Sequence, residues 1–152
     1  MISPELLRRF RLFAGLDPAL FKDLAMAAEE ISVRKGDWLY TEGEKADALY
    51  LVASGTVDLT INLDAKGTRY TELTRLVDGE VTGWSAVLEP YVYTMGAVAG
   101  TDGKVIRIDG EFLREFMAKA PQVGYVIMTH LAQVINQRLA DLRVRFVSLT
   151  EA

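Results

Sequence analysis

The sequence predicts a mainly β fold with flanking helices: an antiparallel double-stranded β-helix (jelly-roll) barrel, preceded by N-terminal helices and followed by a long C-terminal helix. Three observations carry this. In "TVDLTINLD" Val57, Leu59, Ile61 and Leu63 alternate with Asp58, Thr60, Asn62 and Asp64, the pattern of a strand with one face in a core and one in water. Short strand-like segments from Ile31 to Ile108 are separated by glycine turns at Gly36, Gly43, Gly55, Gly67, Gly79 and Gly103, the punctuation of an antiparallel sandwich or barrel. At both ends the apolar period becomes helical.

Taken in order, "SPELLRRFRLF" opens with Ser3 as N-cap and Pro4 at the first helical position, and Leu6, Leu7, Phe10 and Phe13 recur at helical spacing up to Gly15. "DPALFKDLAMAAEE" repeats the signature, with Asp17 as cap. The strand candidates are 30–34, 38–41, 48–53, the segment from Val57, 69–76, 92–98 and 104–108. A short helix over 111–118 ends before Pro121. From Gln122 a single helical pattern runs to about Phe146, with Met128, Leu131, Ile135, Leu139, Leu142 and Phe146 as its apolar stripe. These parts make one domain over 1–152: helices in 4–28, barrel in 30–109 and C-terminal helices in 110–147. A helix of roughly 25 residues is about 37 Å long, more than a small barrel needs as a lid, so its stripe predicts a homodimer.

Composition narrows the function. The chain has 17 basic and 21 acidic residues, a net charge of −4, no cysteine and one histidine, His130. Disulfides, thiolate metal sites and cysteine nucleophiles are excluded, and nothing advertises direct DNA binding. No apolar run approaches the ~20 residues of a membrane span, so the expectation is a cytoplasmic protein without membrane partners. A metal-dependent enzyme built on a jelly roll needs several imidazoles or carboxylates converging inside the barrel. One histidine, expected on the long helix as a solvated or interfacial residue, cannot supply them, so the chain is read as a non-enzyme with no metal and no cofactor.

The stretch "KGDWLYTEGEKADALYLVASGTVDL" resembles the opening half of the cyclic-nucleotide-binding domain family, the sensor module of catabolite-activator-type regulators. Gly36, Leu39, Gly43, Leu49, Tyr50, Val52, Gly55 and Val57 fall at the family's spacing, and the flanking helices resemble the family's over about residues 6 to 145. The resemblance implies that "GWSAVLEPYVYTMGA", residues 83–97, is the phosphate-binding cassette: a glycine, a glutamate that accepts from the ribose 2′-hydroxyl, a one-turn helix, and an arginine that neutralises the cyclic phosphate. Here the glycine is Gly83, the glutamate position is Trp84, and the arginine position falls at Val92 or Tyr93. Neither replacement for the arginine is basic. Truncating a buried phosphate partner costs ~2–5 kcal/mol.

What remains is a candidate ligand set of Gly83, Trp84, Ser85, Ala86, Val92, Tyr93, Thr94 and Arg75. The backbone N–H groups of 85–87, with the hydroxyls of Ser85 and Thr94, are expected to hold an anion or a carbonyl. Arg69 and Arg75 lie on the strand leading into the cassette. They point inward if Leu73 does, and into solvent if Tyr70 and Leu76 are the inward residues. Trp84 either fills the pocket or offers a flat face to an aromatic ligand. Two functional readings follow: a stand-alone sensor of a small effector, a weakly bound cyclic nucleotide or another ligand, that signals through its C-terminal helix; or a ligand-free dimerisation and partner-docking module derived from such a sensor.

Overall fold

A computed structural model describes residues 2–151. Eight strands form two four-stranded antiparallel sheets: β1 (Ala28–Val33), β8 (Gly103–Asp109), β3 (Ala48–Ser54) and β6 (Val81–Thr82) in one, and β2 (Trp38–Tyr40), β7 (Gly96–Ala99), β4 (Val57–Asn62) and β5 (Tyr70–Leu76) in the other. This is the expected jelly roll. Helices α1 (Pro4–Arg8) and α2 (Phe21–Met26) precede it, and α3 (Gly110–Lys119) and α4 (Pro121–Thr150) follow. No helix of the described residues is long and apolar enough to cross a membrane.

The continuous apolar run at 48–53 is explained by β3, which is buried on both faces. Ala48, Tyr50 and Val52, with Val105 of the neighbouring β8, face the opposite sheet, where they meet Val57, Leu59, Leu76 and Ala97. Leu49 and Leu51 face the helices, and with Ile106 and Ile108 they receive Leu7, Phe10, Phe13, Phe21, Leu24, Leu113, Ile127 and Leu131. The two cores therefore share the wall formed by β3 and β8, and the helical layer cannot shift without disturbing it. The caps are those the sequence announces: Ser3 Oγ accepts from the Glu5 N–H at 3.3 Å and Asp17 Oδ1 from the Ala19 N–H at 3.0 Å.

Several local expectations change. The first helix stops at Arg8, and Arg11–Phe13 forms a separate 3₁₀ turn; Arg9 reaches away to Asp78 at 2.6 Å. The second helix ends at Met26 because Ala28–Glu30 pairs with Ile106–Ile108 in β1–β8, so tertiary pairing overrides helix propensity. β6 has only two residues and no periodic signal. His130, expected to be solvated or interfacial, is half-buried, with Nδ1 3.0 Å from the Leu12 carbonyl oxygen, and ties α4 to the N-terminal turn. Asp58 and Thr60, expected in water, are buried. They do face away from the barrel, but Arg75 covers Asp58, while Thr60 lies against Gly96, whose outer surface Trp38 also approaches.

Candidate functional site

The cassette begins at Gly83, whose φ of +79° is left-handed. A side chain there would be strained, and its Cβ would stand 2.9 Å from the Ala48 carbonyl oxygen and 3.3 Å from the Tyr50 ring. Glycine thus lets β6 turn sharply into a 3₁₀ turn at Trp84–Val87. Inside that turn the Ala86 N–H donates to Gly83 O at 3.1 Å and the Leu88 N–H to Ser85 O at 3.2 Å, so the backbone donor expected at Ala86 is already engaged. The Ala86 carbonyl accepts from Arg114 Nη1 of α3 at 2.6 Å, and the Arg114 guanidinium lies 4.2 Å from the centre of the Tyr91 ring. Arg114 therefore clamps the opening turn and the middle of the cassette to α3.

The second half of the cassette is zipped to the loop before β3. Gly43 N–H donates to Tyr93 O at 2.8 Å, Tyr93 N–H to Glu44 O at 2.9 Å and Ala46 N–H to Tyr91 O at 2.7 Å. This pairing sends Val92 and Tyr93 to opposite sides. Val92 is exposed on the outside beside Lys45, whereas Tyr93 is buried and points into the barrel.

There the Tyr93 ring stacks on Tyr40, with centroids 3.8 Å apart and planes 14° apart, and Tyr50 packs against Tyr40 at 5.9 Å. Each phenol in the stack has a polar partner. The Tyr40 hydroxyl lies 2.5 Å from Thr82 Oγ1, and the Tyr93 hydroxyl donates to Ala48 O at 2.6 Å while receiving the Ala48 N–H at 3.2 Å. Burial pushes the Tyr93 phenol up to about 12, with the hydrogen bond to Ala48 opposing it. Burial likewise raises Tyr40 and Tyr50 above the ordinary phenol value. The cavity left among Tyr40, Gly83, Trp84, Ser85, Tyr93, Thr94 and Met95 is about 10 Å³. That is room for one water, where small-molecule sites run to several hundred Å³.

The structure thus brings Gly83, Trp84, Ser85, Tyr93 and Thr94 around one closed spot, with buried Ala86 behind them. It does not bring Val92 or Arg75 there. Arg75 lies on the outer face, where Nε meets Asp58 Oδ1 at 2.7 Å and Nη2 meets Oδ2 at 3.1 Å. The β4–β5 register shifts between Leu59 and Thr60. This breaks the alternation, so Leu73 and Leu76 are both buried while Arg75 turns outward. Arg69 is exposed in the β4–β5 hairpin. Trp84 is half-buried at the rim, packed against the helical core; the filling of the pocket is done by Tyr93 and Tyr40 instead. Tyr40, Thr82 and Arg114 were not anticipated, because their partners lie far along the chain.

A jelly roll with this strand order, a left-handed glycine opening a one-turn helix, and a helix pair closing the chain can be set beside known proteins. The sequence profile of the cyclic nucleotide-binding domain matches residues 30–120. The chain belongs to the cyclic nucleotide-binding domain family. A crystal structure from Geobacter metallireducens GS-15, of a protein classed as cyclic nucleotide-binding, shares 35% identity, with a TM-score of 0.81 over 91% of this chain and 99% of that one. The CRP-like cAMP-activated global transcriptional regulator of Mycobacterium tuberculosis is 28% identical over 141 residues, which are 91% of this chain and 62% of the regulator. The Thermus thermophilus catabolite activator protein gives 26% identity and a TM-score of 0.69 over 96% of this chain and 63% of that one. The chain therefore spans less than two thirds of the length of that regulator. Among the described residues no three metal-ligating side chains converge.

The stack yields a direct prediction. Tyr93→Ala should cost about 3–5 kcal/mol by opening a cavity against Tyr40, whereas Tyr93→Phe keeps the stack and should cost about 1 kcal/mol for the lost hydrogen bonding. Urea denaturation of both variants checks the ordering; equal costs would mean that the ring makes no buried contact.

Proposed function

We propose that this chain is a non-enzymatic regulatory module of the cyclic nucleotide-binding family whose cassette is closed to cyclic nucleotides and whose output is dimerisation through α4. The observation that carries the reading is the stacked Tyr40 and Tyr93 pair in a site with about 10 Å³ of free space. A cyclic nucleotide would have to displace both rings and break the Tyr93 bonds to Ala48, without an arginine to hold its phosphate.

The surface of α4 supports the dimer. Gly124, Ile127, Leu131 and Arg138 are buried against the rest of the chain. A second stripe, Tyr125, Met128, Ala132, Ile135, Leu139, Leu142, Phe146 and Leu149, advances by alternating steps of three and four residues, the spacing of a coiled-coil seam. Tyr125, Leu139, Phe146 and Leu149 on it are 63–76% exposed, which is costly for a lone chain and accounted for by a second α4. A closed barrel with such a seam works as an assembly device.

A second reading, an effector sensor, draws support from a different place. A cleft of about 290 Å³ lies between the loop before β3, Tyr91 and α3, lined by Lys45, Asp47, Arg107, Glu111 and Arg114 among others. A small polar effector there would act on Arg114 and so on the cassette and α3 together.

Three outcomes are expected. Wild-type protein with about 1 mM cyclic AMP should show no thermal stabilisation, where a ligand of micromolar Kd would add about 4 kcal/mol. Trp84→Glu with Tyr93→Arg should raise cyclic AMP affinity by about tenfold or more, and Trp84→Glu with Val92→Arg should not, as titration calorimetry can decide. Sedimentation should give a dimer at micromolar concentration and a monomer for Leu139→Asp with Leu142→Asp; a monomeric wild type would remove the assembly reading.

A further inference from the structure

The outer face of the β2–β7–β4–β5 sheet carries an aromatic corner that the fold does not require. Strand alternation normally puts polar residues on such a solvent face, yet Trp38 of β2 and Tyr70 of β5 lie together there, 42% and 44% exposed. Their ring centroids are 5.2 Å apart and their planes meet at 81°, two walls at a right angle. Gly96 permits the arrangement, because a Cβ at that position would come within 3.0 Å of the Trp38 ring and 2.5 Å of Thr60 Oγ1.

The corner opens into a hollow of about 410 Å³ that Glu42, Asn62 and Lys66 also line. Glu42 is half-buried and fixed, its Oε2 accepting the Asn62 N–H at 2.8 Å. Two perpendicular aromatic faces beside a held carboxylate attract a cation that needs no hydrogen bonds, and a quaternary ammonium meets that description. Lys66 would repel a simple cation but pairs with a carboxylate on the same ligand. We propose that this hollow binds a small trimethylammonium carboxylate, a ligand of the betaine class, with its methyl groups on Trp38 and Tyr70, its positive charge toward Glu42 and its carboxylate toward Lys66.

The test is a titration of the full chain with glycine betaine, followed by the Trp38 indole N–H in nitrogen-15 NMR. A saturable shift is expected with Kd on the order of 1 mM. The isostere 3,3-dimethylbutanoate, which keeps the shape and carboxylate but has carbon in place of the quaternary nitrogen, should bind about three- to tenfold more weakly. Glu42→Gln retains the oxygen that accepts from Asn62 and should weaken betaine by about as much, and Lys66→Met should weaken betaine while modestly strengthening choline, which the lysine repels and which has no carboxylate to pair with it. No saturable shift of Trp38 at about 50 mM betaine, or equal binding of the isostere, overturns the proposal. Phosphatidylcholine vesicles that bind when free betaine does not would also overturn it, by assigning the corner to a membrane surface.

Discussion

The contact between Tyr40 and Tyr93 decides what the barrel can do. A stack with centroids 3.8 Å apart, whose hydroxyls are tied to Thr82 and Ala48, brings four parts of the chain to one point: β2, β3, the end of β6 and the second half of the cassette. Buried phenols are tolerable only when their hydroxyls have partners, and both do. The consequence is a left-handed turn and one-turn helix whose interior is occupied by the chain's own side chains. Gly83 remains necessary, because the left-handed turn and the close approach to Ala48 are demanded by the path of the backbone and not by a ligand.

From that point the constraint spreads outward through the shared strand. β3 presents Ala48, Tyr50 and Val52 to the tyrosines and Leu49 and Leu51 to the helices, and Arg114 ties the cassette carbonyl of Ala86 and the ring of Tyr91 to α3. α3 and α4 meet directly, with Gly124 close to Met117. A family sensor arranged this way would move its helices when the cassette filled. Under the proposed function the tyrosines take the ligand's place, the helices keep one arrangement and the seam on α4 is presented without an effector. The aromatic corner of Trp38 and Tyr70 lies on the opposite face of the β2–β7–β4–β5 sheet, so its occupancy need not disturb the stack.

Much of the barrel was legible because period and punctuation agree: Val57 and Leu59 do face the core, and the glycine turns separate real strands. The departures have physical causes that a single sequence hides. The shift in register opposite Leu59 and Thr60 interrupts strict alternation, so inward Leu73 does not imply inward Arg75. Asp58 and Thr60 obey the alternation but are covered by residues from neighbouring strands. Of the stretch singled out by the family resemblance, residues 83–85 and 93–94 gather at one spot. What fills it was not legible, since Tyr40 and Tyr93 are distant in sequence and only the β2–β7 topology brings them face to face. Trp84 drew attention as the conspicuous substitution, yet Tyr93, one of the two candidates for the arginine position, is the ring that stacks inside the barrel.

The most direct measurement of this closure is a spectrophotometric titration of the native protein's tyrosines. Burial raises the phenols of Tyr40, Tyr50 and Tyr93, Tyr93 to about 12, against about 10 for a phenol in the unfolded chain. Proton release therefore favours the unfolded state: the stabilisation is complete below about pH 10 and is lost as pH rises toward 12. The account predicts that phenolate absorbance stays short of the full value for the chain's six tyrosines while the fold persists, and that the missing amplitude appears together with unfolding. Full ionisation near pH 10 in a protein that is still folded would show that the rings are open to solvent, and would contradict the claim that they fill the nucleotide site.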